Sequence, residues 1–116
     1  MTAYILAHLP APTGDLHEQV LEYMEKIQAT LDPFGGRFLV HGGTLEVKEG
    51  SWPGAVVLIE FPTMDHARDF YDSPAYRRIK PLRTDHLDGD LIIVDGCEPD
   101  HDSAAMAAEL RGMSSL

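Results

Sequence analysis

The chain reads as one α+β domain in the order β-α-β-β-α-β, followed by a tail of different character. Three observations predict it. Four short apolar runs rich in strand-forming residues are set off by Pro and Gly, and two stretches between them repeat apolar residues at helical spacing. A length of 116 residues leaves room for a single core. This order is the split βαβ, ferredoxin-like arrangement: a four-stranded antiparallel sheet with helices on one face.

Ala3–Leu9 (AYILAHL) is the first strand, ended by Pro10 and a loop over Ala11–Gly14. Asp15 followed by Glu18 is a capping-box pattern, and Leu16, Val20, Met24, Ile27 and Leu31 then recur on one helical face with Tyr23 beside them. This helix is expected from about Leu16 to Asp32, stopped by Pro33 and Gly35-Gly36. Arg37–His41 is the second strand; after Gly42-Gly43 the alternation resumes in Thr44–Lys48, so a bent or bulged strand is expected there. Ala55–Phe61 (AVVLIEF) is the clearest strand of all. Thr63 caps a helix running to about Tyr71, and Ser73-Pro74 starts another that ends near Pro81. Asp90–Asp95 is the fourth strand, which sets the domain at residues 1–96. Residues 97–116 form a tail able to make a short helix over Ala104–Arg111.

The third strand is apolar on both sides, Val57, Ile59 and Phe61 on one and Val56 and Leu58 on the other. The fourth, with Leu91 and Ile93 against Ile92 and Val94, repeats this. Helices on one face cover only half of that surface, so the sheet is expected to pair with a second copy. Trp52, in the loop before the third strand, fits an anchor at the edge of such a dimer.

A formal net charge of −10 argues against nucleic acid and anionic membranes as partners. No apolar run reaches the roughly 20 residues of a membrane helix, and no signal-peptide pattern opens the chain, so a cytoplasmic protein is expected. The single cysteine, Cys97, excludes an intrachain disulfide and has only acids and His101 near it, which is poor activation for a nucleophile. Arg77, Arg78, Lys80 and Arg83 crowd into seven positions, as a solvated helix face or a local anion site would.

Polar residues that interrupt apolar strand faces are the candidates for chemistry. Glu60 breaks one side of the third strand and needs a partner, for which Arg37, His8 and His41 are placed. Arg37, Leu39 and His41 alternate onto one side of the second strand, so His41 and Glu60 are the candidate proton-moving pair. His8, Arg37, Tyr71, Tyr76 and Arg83 are candidates for holding a substrate. Ser73 reads as a cap between two tyrosines whose hydroxyls point outward, although a phenol near Arg83 or His41 could hold a carbonyl oxygen. His17, His66, His86 and His101 read as surface residues. Helix-borne metal spacing is absent, and a site from His8, His41 and Glu60 would rest on strand proximity alone; no metal and no cofactor is expected.

The block GGRFLVHGGTLEVKEGSWPG, with IEFP, the YDSPAY joint and DLIIVDG, resembles the domain-of-unknown-function-1330 family over about Ala3–Gly96. His41 stands where that family more usually has arginine. The resemblance implies a homodimer in which two sheets meet as a dimeric α/β barrel, with a pocket between sheet and helices in each subunit. Relatives in that superfamily include cofactor-free monooxygenases, muconolactone isomerases, haem-binding enzymes and ligand-binding or stress-related modules. Two readings follow: a metal-free enzyme acting on a small aromatic or carbonyl compound, or a non-catalytic ligand-binding module. Haem binding, which would need an axial ligand in the cleft, is a third.

Overall fold

In the computed structural model, which describes residues 1–11 and 14–114, the strands fall where the alternation puts them. They are β1 (Ala3–Leu9), β2 (Arg37–His41), β3 (Ala55–Phe61) and β4 (Asp90–Asp95). They form one antiparallel sheet in the order β2-β3-β1-β4. The helices are α1 (Glu18–Leu31), α2 (Met64–Asp72), α3 (Pro74–Thr84) and α4 (Ser103–Ser114). Register fixes the two faces. Ile5 lies opposite Ile59 and Ile93, and Ala7 opposite Val57 and Leu91. These residues look toward the helices, where Tyr23, Ile27, Leu31, Phe70, Tyr76 and Ile79 complete the core. Tyr4, Leu6 and His8 pair with Glu60, Leu58 and Val56 on the other face, with Val94, Ile92 and Asp90 beyond. That second face is apolar and open: Ile92 is 51% and Val94 41% exposed.

Several element boundaries differ from expectation. Helix α1 is capped by His17 rather than Asp15: His17 Nδ1 accepts from the Gln19 N–H at 3.0 Å. The His17 ring stacks on His86 at 3.6 Å, and His86 Nε2 meets Gln19 Oε1 at 2.6 Å. This contact with the end of α3 holds His17 outside the helix and overrides the local capping box. Pro12 and Thr13 of the expected loop, and Ser115-Leu116 of the tail, lie outside the described residues.

Thr44–Lys48 is not a strand. Gly42 and Gly43 adopt φ of 75° and 88°, turning the chain away from β3, so among the described residues the alternation in Leu45 and Val47 meets no neighbouring strand. Helix α3 continues through Pro81 to Thr84, because the proline frees only the carbonyl of Arg77, which is solvent-exposed. Helix α4 extends beyond Arg111 and is capped by Asp102, whose Oδ1 accepts from the Ala104 N–H at 3.0 Å.

Candidate functional site

The helix face of the sheet does not close completely against α1 and α3. A cavity of about 310 Å³ remains, walled by Ile5, Ala7, Val57 and Ile59 from the sheet and by Val20, Met24 and Ile27 from α1. Its volume is at the low end for small-molecule sites. Leu16 and Met24, expected in a closed core, are 37% and 43% exposed because they border this opening.

Its polar end comes from two packed helices. Tyr23 stands on α1; Tyr76 and Arg83, seven residues and two turns apart, share one face of α3. The Tyr23 and Tyr76 hydroxyl oxygens are 2.9 Å apart, and Arg83 Nη2 donates to the Tyr76 oxygen at 3.3 Å. The Arg83 guanidinium also lies over the Tyr23 ring, 5.4 Å from its centroid. Tyr76 is 1%, Tyr23 8% and Arg83 8% exposed. One hydroxyl sets the position of Tyr76: Ser73 Oγ donates to the Phe70 carbonyl at 2.7 Å and accepts from the Tyr76 N–H at 3.2 Å, ending α2 and starting α3. Burial pushes the Tyr23 pKa well above the ordinary phenol range, with Tyr76 adding to the effect, so Tyr23 keeps its proton. Burial pulls the Arg83 pKa down, but the two tyrosine oxygens outweigh it, and the net shift is upward.

Three of the seven residues singled out from the sequence line this cavity: His41, Tyr76 and Arg83. His41 sits at the exposed rim, its ring stacked on Phe38 with centroids 4.3 Å apart. Tyr71 packs on Tyr76 under the Lys80 ammonium, outside the wall. Glu60, Arg37 and His8 belong to the opposite, open face. Glu60 pairs with Arg37 at 3.3 Å, while His8 Nε2 meets the Pro53 carbonyl at 2.6 Å and its ring contacts Trp52. The expected grouping of His41 with Glu60 is therefore corrected: the two lie on opposite sides of the sheet.

The cause is a bulge. Phe38 pairs with Ile59 but Val40 pairs with Leu58, so Leu39 is extra and His41 turns to the helix side, opposite Val57. Arg37 and His41 consequently do not share a face. The hydroxyls also differ from expectation, since that of Tyr76 points inward to Tyr23 rather than outward. Tyr23 was hidden as a site residue because its helical spacing is that of a core position. Among the described residues no group of three or more His, Cys, Asp or Glu side chains is gathered to hold a metal ion. Among them, too, no helix is long and apolar enough to cross a membrane.

Fold and cavity together define a ferredoxin-like α+β protein with a pocket between its sheet and helices. The chain belongs to the DUF1330 family, a domain of unknown function whose pattern matches residues 2–97. No curated protein matches it significantly. Among solved structures it is similar to a protein of unknown function from Rhodopseudomonas palustris, at 19% identity and a TM-score of 0.62 over 84% of each chain. A dimeric ferredoxin-like protein of unknown function from Jannaschia is 14% identical, with a TM-score of 0.57 over 83% of this chain and 100% of that one. SnoaB, a cofactor-independent oxygenase from Streptomyces nogalater, is 12% identical, with a TM-score of 0.50 over 87% and 96%. At these identities the likeness establishes the fold alone.

Proposed function

We propose that the protein is a homodimeric, metal-free enzyme of the isomerase or cofactor-free monooxygenase type, acting on a small aromatic or carbonyl compound bound between sheet and helices. The observation that carries this reading is a hydroxyl–guanidinium cluster buried at one side of an otherwise apolar cavity. In such a site Tyr76 and Arg83 hold the substrate oxygen, and His41 at the rim takes a proton from the adjacent carbon. The electron pair of the broken C–H bond moves onto the oxygen as an enolate. Returning the proton to a different carbon gives isomerisation; electron transfer from the carbanion to O2 and recombination give a hydroperoxide, whose O–O bond breaks with loss of water to leave a carbonyl at a carbon that began as CH2. The fold shared with a cofactor-independent oxygenase supports the second outcome as an analogy.

Pairing of two copies through the open sheet face, as a dimeric α/β barrel, is supported by the exposed Leu39, Val40, Ile92 and Val94 and by the dimeric state of ferredoxin-like relatives. Arg37, Glu60, His8 and Trp52 then serve this interface rather than the chemistry.

Proton NMR in D2O tests the enzymatic reading. A panel of cyclic 1,3-diketones and hydroxyaromatics should lose a carbon-bound proton signal faster with the protein than with buffer, and His41→Ala should abolish the difference. Compounds that bind without any accelerated exchange would favour the second reading, a non-catalytic ligand-binding module. One observation favours that alternative: among the described residues the His41 ring is stacked on Phe38, but no hydrogen bond orients it.

A further inference from the structure

Arg83 is a buried cation facing an apolar cavity without a counter-charge. Among the described residues no carboxylate lies within ion-pair distance of it, and its side-chain partners are the Tyr76 hydroxyl and, more weakly, the oxygen and ring of Tyr23. An unpaired charge is costly in such a place, and an anion at hydrogen-bond distance offsets that cost.

Counting protons leads to the same end. The two tyrosines own two hydroxyl protons, and the bond between their oxygens uses one. If Tyr76 donates, the Tyr23 proton is left over; if Tyr23 donates, the Tyr76 proton is left over. Among the described residues no other acceptor takes it. The cluster thus offers an O–H, the remaining guanidinium N–H groups and a positive charge.

We propose that the cavity takes its ligand as an oxyanion: a small apolar ring compound carrying one ionised oxygen, seated against Arg83 and the spare hydroxyl proton. The inference rests on reading the cavity as a small-molecule site, and it names the ionisation state of what enters. For an acidic phenol or enol, the O–H bond breaks, the oxygen keeps the electron pair, and the proton leaves to buffer. A carboxylate presents the same chemistry already ionised. In either case the bound acid is stronger than the free one, because a cation within hydrogen-bond distance favours the charged form.

Three probes of similar shape test this: 4-nitrophenol, 4-nitrobenzoate and neutral 4-nitrotoluene. Binding is measured by calorimetry, and the phenolate band of nitrophenol is followed while the pH is varied. At least one anion is expected to bind about tenfold or more tighter than nitrotoluene, as one charge-assisted hydrogen bond provides. The apparent pKa of bound nitrophenol should fall. In Arg83→Met the preference should vanish while nitrotoluene still binds. Should Arg83→Met fail to fold, the nitrophenol pKa in the unmodified protein decides the matter. Nitrotoluene binding as tightly as both anions, or nitrophenol bound as the neutral phenol, would overturn the oxyanion inference and leave the cavity reading intact. A preference unchanged in a folded Arg83→Met variant would overturn it too. If none of the three probes binds, the cavity reading fails and takes this inference with it.

Discussion

Replacing either tyrosine of the cluster by phenylalanine removes a single oxygen, yet the two changes should differ in cost. Tyr76 is the middle of the chain Tyr23–Tyr76–Arg83 and its oxygen serves both neighbours. Tyr76→Phe therefore removes the main partner of both the Tyr23 hydroxyl and an Arg83 N–H, in residues each 8% exposed, and leaves them only their weaker contact with one another. Leaving a buried polar group unpaired costs about 1–3 kcal/mol, so two such groups that keep a weaker contact with each other come to roughly 2–4 kcal/mol. Tyr23→Phe removes the bond to Tyr76 and the weaker contact with Arg83 but leaves the Tyr76–Arg83 bond in place, at a cost of about 1 kcal/mol. Urea denaturation of both variants, at one fixed protein concentration so that any dimerisation contributes equally, measures the difference. Equal losses, or a larger loss for Tyr23→Phe, would refute the placing of Tyr76 at the centre of the chain.

Other perturbations probe other parts of the fold. The Tyr23 pKa is raised in the folded state, so its contribution is fully present below the unfolded value of 10.0 and is lost as pH rises above it. Thermal midpoints should accordingly fall from about pH 10 upward and fall less steeply in Tyr23→Phe; parallel curves would contradict this. Gly54 adopts φ of 125°, and a β-carbon there would run into the Leu9 carbonyl at the end of β1. Gly54→Ala should cost roughly 2 kcal/mol or more, read as a lower urea midpoint, and a neutral result would show that this loop shifts freely. Ile92→Lys places a charge in the open sheet face and should shift sedimentation from dimer to monomer with the circular dichroism unchanged; an unaffected dimer would move the interface elsewhere.

Much of this architecture was readable in the residues, because period-two alternation and Pro/Gly punctuation are strong local signals. All four strand ranges follow from them. What local pattern could not supply was tertiary. The bulge at Leu39 is one extra residue in a five-residue strand, and it reverses the face of His41 without changing the alternation a reader sees. The stack of His17 on His86 moves a helix start through a partner 69 positions away. Thr44–Lys48 alternates as a strand does, but the preceding glycines carry it away from any neighbour. Tyr23 looks like a core residue and is one; only its hydroxyl contact across the helix pair makes it part of a site.

The cavity between sheet and helices is proposed to bind a small ring compound through the Tyr23–Tyr76–Arg83 cluster. A crystal structure of the protein soaked with 4-nitrophenol tests it most directly. Ring density is expected between Ile59 and Met24 with the phenol oxygen within hydrogen-bond distance of Arg83 or a tyrosine hydroxyl. Density confined to the open sheet face, or a ring seated in the cavity with its oxygen turned away from Arg83 toward the rim, would contradict it.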